Sequence, residues 1–420
     1  MAQVMKPSPD SPAMAPSTPV KQLLHTAAPP SPVPRSNSVS ARSPLFDNIK
    51  FLFMYGIVQW HSGQCGQNIR CFPGKEAWLG ETPTILNCLP KLVGSACLTG
   101  FMLLGGVVYA GRTINLRKQS TVLHVVGMGL FVQYVVATPI DMMLGSRIPT
   151  NGHVWFMYAL AVARGFVGVC QLASLSRSTI TALSVIINLF AALAWHYVPR
   201  DQSSYDGLTW SSTEWFDVIG TRWFTFIFYF VVGWQLPADL ILSLNQRLHA
   251  STRLWRASMA LLAVNVVYNL FRLDLRATNL FVSGAPDEWL KRMPYHIEMS
   301  VISTLSPILL LCVLPARPIG RITQWGENTL FCYLVHPFGL KLFVKPTMPY
   351  LFGAALSLPS PELQWLCLFL LELLVPLLVQ VGLCELSIVL KAVWQRWRNR
   401  KAAPDAAGVD DVARAEDAKV

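Results

Sequence analysis

From residue 43 onward the chain alternates long apolar runs with short polar stretches, and about ten of the runs are long enough to cross a bilayer as helices. The pattern predicts spans near 45–62, 89–111, 121–143, 153–173, 178–198, 222–243, 253–272, 294–315, 327–345 and 363–391. The ninth is the least regular, because Pro337, Pro346 and Pro349 interrupt the region that follows its start and continues past its end. The expected architecture is an all-α, polytopic membrane helix bundle. Residues 1–42 are rich in Pro, Ser and Ala and read as a disordered cytoplasmic tail, residues 43–393 as the transmembrane domain, and residues 394–420 as a second disordered cytoplasmic tail.

Basic residues set the orientation. Lys6, Lys21, Arg35 and Arg42 stand before the first run, and Lys391, Arg396, Arg398, Arg400 and Lys401 follow the last. Both termini are therefore expected in the cytoplasm, which requires an even number of spans. Arg112, Arg117 and Lys118 fall on the cytoplasmic side, and the acidic 199–221 loop falls outside. Which membrane this is stays open.

One run breaks the apolar pattern in an ordered way. In the stretch Ser43–His61, SPLFDNIKFLFMYGIVQWH, Asp47, Lys50 and His61 share one helical face, with Met54 and Val58 between them. Lys50 and His61 lie about 20° from alignment and roughly 16 Å apart along the axis. Such a stripe is costly against lipid, so it is expected to face protein or a wet cavity. The plainer alternative is that Asp47 and Lys50 mark one membrane surface and His61 the other.

Composition agrees with a membrane protein: 53% of residues are hydrophobic and 14% charged, against roughly 45–50% and 25% in soluble domains. The net charge of +11 comes from residues flanking apolar runs and needs no nucleic acid. The nine cysteines show neither CxxC nor Cys/His zinc spacing, and no metal is expected. Phosphate-binding, dinucleotide, serine-hydrolase and HExxH signatures are missing, so any chemistry must come from groups within the bundle.

Further polar groups call for an explanation. His153 opens the fourth run and Arg164 follows three turns later, where it would either bind substrate or enter an ion pair with Asp141 or Glu372. Arg222 starts the sixth run and could snorkel. Glu327 and Asn328 precede the ninth run, with Glu327 expected in a first helical turn, and His336 lies deeper beside Pro337. His336 reads equally as a core histidine or a reactive one.

FDNIKFLFMYGIVQWH resembles the first membrane segment of the acyltransferase-3 family, in which a basic residue precedes an essential histidine by eleven positions. HVWFMYAL at 153–160, RWFTFIFYFVVGW at 222–234 and GENTLFCYLVHPF at 326–338 are similar to further segments of that family, in the same order. The resemblance covers residues 45–390. It implies a membrane-bound O-acyltransferase moving an acyl group, most often acetyl, from cytoplasmic acyl-CoA to a hydroxyl of a sugar or other acceptor on the lumenal or external side. In that scheme His61 is the general base. Asp47, Lys50 and His336 support it, and Arg112, Arg117, His153, Arg164, Arg222, Glu327 and Asn328 are candidates for substrate or acyl-donor binding. Many members carry an Arg-x-x-Arg pair at the cytoplasmic side of the third segment; here Arg112, Arg117 and Lys118 are the nearest basic groups, off that spacing. Membrane lipids surround the bundle, and a separate soluble partner or a second copy of the chain stays open. The acceptor and acyl length are not legible. A secondary transporter using the same intramembrane charges is the alternative, and a scaffold with polar groups as helix-helix glue is a third reading.

Overall fold

Apolar runs of this length can satisfy their backbone amides internally only as helices, and helices are what the computed structural model contains. It describes residues 43–67, 84–110, 155–197, 222–272 and 289–417, with isolated positions between 124 and 139. Among the described residues there is no strand, and all the helices belong to one unit, Ser43–Val420. They are α1 Pro44–Gln67, α2 Thr84–Tyr109, α3 Trp155–Leu172, α4 Arg177–Tyr197, α5 Arg222–Gln235, α6 Ala238–Ala250, α7 Thr252–Arg272, α8 Trp289–Val313, α9 Gly320–Glu327, α10 Thr329–Gly339, α11 Lys345–Leu356 and α12 Pro361–Asp417. The tail 1–42 and nearly all of the 121–143 run lie outside the described residues.

Two helices are long and apolar enough to cross a membrane, His296–Val313 and Pro361–Asn399, and a third such span results if the bent pair α5–α6 is counted as one. Shorter apolar helices occupy Ala96–Tyr109, Phe156–Leu172 and Arg177–Ala191. Along α12 an apolar stripe faces outward, Leu363, Leu366, Leu370, Leu374, Leu378, Leu386 and Leu390, at three- and four-residue spacing except where Gly382 stands between Leu378 and Leu386. A stripe of that length suits lipid as its surroundings better than water.

Helix α1 is the axis of the bundle. Leu45, Ile49, Phe53, Met54, Ile57 and Val58 are fully buried on it, against α2, α9, α10 and α12. Helices α2 and α5 cross at backbone contact. A Cβ added at Gly106 would fall on the carbonyl oxygen of Phe230, and one at Gly233 on that of Leu103, so both positions require glycine. Helix α8 carries a polar seam. Thr99 Oγ1 donates to the carbonyl of Ser303 at 2.9 Å, Asn188 Nδ2 to Ser300 Oγ at 3.3 Å, and Ser306 Oγ to Asn265 Oδ1 at 2.6 Å. The open carbonyls at its C-terminal end are taken by Asn245 Nδ2, 2.8 Å from Leu311 O and 2.7 Å from Leu314 O.

Three elements differ from the sequence pattern. The 222–243 run is bent by 71° between α5 and α6, where Pro237 cannot donate to the helix and forms the N-cap of α6. The 327–345 run starts within α9, breaks at Asn328, and passes from α10 into a π-helical turn, Leu340–Val344, before α11. Finally α12 continues to Asp417, through the 394–417 stretch expected to be a disordered tail. That stretch is rich in alanine and extends an existing helix, so it escapes the cost of nucleation.

Candidate functional site

The site is built where the two ends of the chain meet, α1 on one side and α9, α10 and α12 on the other. At the amino-terminal end of α1, Asp47 is 2% exposed and accepts from Lys50 Nζ at 2.8 Å, while Lys50 retains 28% of its side-chain surface. Beside this pair Asn48 acts as a tie. Its Nδ2 donates to Pro315 O and Arg317 O, both at 3.1 Å, and its Oδ1 accepts from Thr323 Oγ1 at 2.6 Å. Thr323 Oγ1 in turn accepts from the amide of Ile319 at 2.8 Å, fixing the entry to α9. Gly326 closes the contact, since a Cβ there would fall on the Asp47 carbonyl oxygen.

Four turns along α1, the half-buried His61 meets His336 of α10, which is fully buried. The ring centroids are 5.3 Å apart with 34° between planes. The histidine of the Asp47–Lys50–His61 stripe is therefore neighbour to the other candidate histidine, from the opposite end of the sequence. Tyr333 stands 5.8 Å from His336 and the same distance from Phe156 of α3, which walls the group.

Pro337 determines how His336 is protonated when neutral. In a regular helix the carbonyl of Tyr333 would accept from the amide of residue 337, but proline has no N–H. His336 Nδ1 lies 2.7 Å from that carbonyl. A carbonyl can only accept, so Nδ1 carries the proton and Nε2 the lone pair. The His-Pro dipeptide thus supplies both an open carbonyl and the donor that fills it.

The remaining candidates are dispersed. Arg164 is buried in α3 with its guanidinium 4.2 Å over the Tyr109 ring, its partner among the described residues; Asp141, one of the two carboxylates considered for it, lies outside them. Asn328 caps α9 and joins it to α12: Nδ2 donates to Gln324 O at 2.7 Å, while Oδ1 accepts from Ser387 Oγ at 3.1 Å and Lys391 Nζ at 2.5 Å. Glu327, expected in a first turn, is instead the last residue of α9 and is exposed, because Gly320 starts a separate short helix ahead of it. Arg222 is the first residue of α5, and its side chain lies outside the described residues, as do Arg112, Arg117 and His153 altogether. Among the described residues no three His, Cys, Asp or Glu side chains come together as metal ligands would.

Sequence reasoning passed over Asn48 and Gln380. Gln380 is fully buried in α12 and donates from Nε2 to Phe51 O at 2.8 Å, clamping α12 onto α1. Its signal was a lone amide inside LLVQVGL, a polar group in an apolar run. Asn48 gave no such signal, since its partners lie far along the chain.

The described geometry is an all-helical unit with apolar helices of membrane-crossing length and a histidine pair beside its central helix. No family model, curated protein or solved structure matches this chain.

Proposed function

We propose that the chain is a multi-pass membrane O-acyltransferase of about ten spans with both termini cytoplasmic, transferring an acyl group, most often acetyl, from cytoplasmic acyl-CoA to a hydroxyl acceptor across the membrane. The observation that carries this reading is the His61–His336 pair: the two histidines singled out in separate acyltransferase-like segments are ring neighbours. The acyl donor itself rests on the resemblance.

The chemistry follows from the residues. An alcohol is a poor nucleophile at neutral pH, and an imidazole titrates in the range needed to activate it. His61, less enclosed than His336, takes the hydroxyl proton as the oxygen attacks the thioester carbon. The new ester C–O bond forms, the C–S bond breaks, and the CoA thiolate recovers the proton from the imidazolium. His336 Nε2, with its lone pair, orients His61 or shares its proton. Lys50 holds Asp47 at the other end of the stripe, roughly 16 Å away along the helix, a distance suited to an extended pantetheine arm.

The test is acceptor-dependent transfer of label from acetyl-CoA by the purified protein, beside His61→Ala. Loss of about 10²-fold or more is expected from the variant; undiminished transfer by a folded variant removes His61 from the mechanism.

A secondary transporter is the second reading, favoured by the bend at Pro237 and the break at Asn328, since broken helices line many transport sites. Substrate uptake into proteoliposomes without CoA would support it over transfer.

A further inference from the structure

The end of α12 carries a graded surface. Leu386, Leu390, Val393, Trp394 and Trp397 are all exposed, and at 100° per residue they fall within about 100° of one another. Trp394 is 60% and Trp397 46% exposed, their rings stacked at 4.8 Å. Arg396 and Arg398 flank this stripe, exposed and without an ion-pair partner among the described residues, and Arg400 and Lys401 follow in the next turn. Lys391, one turn earlier, is committed elsewhere, to Asn328. Beyond the basic turn the sign reverses at Asp405, Asp410, Asp411, Glu416 and Asp417.

Aliphatic, then indole, then cationic is the order of environments met on leaving a bilayer. Indole rings settle at headgroup level, and basic residues just beyond settle against anionic lipid. Two stacked, half-exposed tryptophans, each apolar in body and polar at its N–H, suit that boundary.

We infer that residues 394–401 of α12 bind the anionic headgroups of the leaflet this helix leaves, with Trp394 and Trp397 seated in the interface and the four basic charges of the stretch attracting lipid phosphates. A soluble acidic protein could meet the cations, but Trp394 and Trp397 continue the outward-facing aliphatic stripe of the same helix, so lipid is the occupant. This inference does not depend on the acyl-transfer reading.

The experiment is native mass spectrometry of the full-length protein in detergent, offered equal amounts of phosphatidylglycerol and phosphatidylcholine. Wild type is expected to retain phosphatidylglycerol in several-fold excess. R396Q/R398Q/R400Q/K401Q should lower that excess by about tenfold or more, given the contribution of each basic residue near an anionic surface, whereas R396K/R398K/R400K should keep it. Inorganic phosphate at millimolar level should leave the excess in place. Equal retention of both lipids by wild type, an undiminished excess in the glutamine variant, or displacement by free phosphate would each overturn the inference. If the quadruple variant does not purify folded, R396Q/R398Q makes the same comparison with a smaller drop.

Discussion

The two ends of the α1 stripe are held in different ways. Around Asp47 everything is tied: an ion pair, three hydrogen bonds to the Asn48 side chain and a glycine against a backbone carbonyl. At His61 one neighbour is the ring of His336, the facing helix carries a proline, and a π-helical turn follows directly after α10. Helix irregularities of this kind are frequent at functional sites. The contrast separates the two ends: the first fixes the register of α1 against α9, and the second brings two imidazoles together.

The largest stability effect expected from breaking this contrast is at Gly326. Gly326→Ala puts a methyl group on the Asp47 carbonyl and should cost about 3 kcal/mol or more, read as a lowered midpoint of thermal unfolding in detergent. Asn48→Ala comes next, at about 2–3 kcal/mol, because two carbonyls lose their shared donor. Asn48→Asp should be worse than alanine, since it turns a carboxylate oxygen toward those carbonyls. At the other end, Pro337→Ala returns an amide donor to Tyr333 O. Unfolding should be unchanged or later, while the imidazole ¹⁵N spectrum of His336 moves from a pure Nδ1–H form toward a mixture of tautomers. A ¹⁵N pattern identical to wild type would show that the proline does not set the tautomer. The smallest effect serves as a control: Gly353→Ala meets no neighbouring atom and should shift stability by under about 1 kcal/mol, upward if at all.

Much of the helical framework was legible because period and apolar length act locally. The runs at 45–62, 153–173, 178–198 and 253–272 match α1, α3, α4 and α7 to within a few residues. The stripe was legible for the same reason, as three polar residues on one helical face. What escaped were features set by distant partners or by single residues that stop a helix. Asn48 looks like any polar residue near a helix start until Pro315, Arg317 and Thr323 are placed around it. Asn328 reads as part of a helical run, yet its side chain is consumed by Gln324, Ser387 and Lys391, and the chain turns there from α9 into α10. Pro337 was read as an interruption, whereas its missing N–H gives His336 a partner within the same helix. The continuation of α12 was missed because composition suggests disorder without showing that a helix is already in place to be extended.

A double-mutant cycle shows whether His61 and His336 act as one unit. Acyl transfer from acetyl-CoA would be measured for wild type, His61→Ala, His336→Ala and the double variant, each verified as folded by its unfolding midpoint. If they act as one unit, the double variant loses about as much as His61→Ala alone. Losses that multiply, or a His336→Ala protein with full transfer, would contradict it.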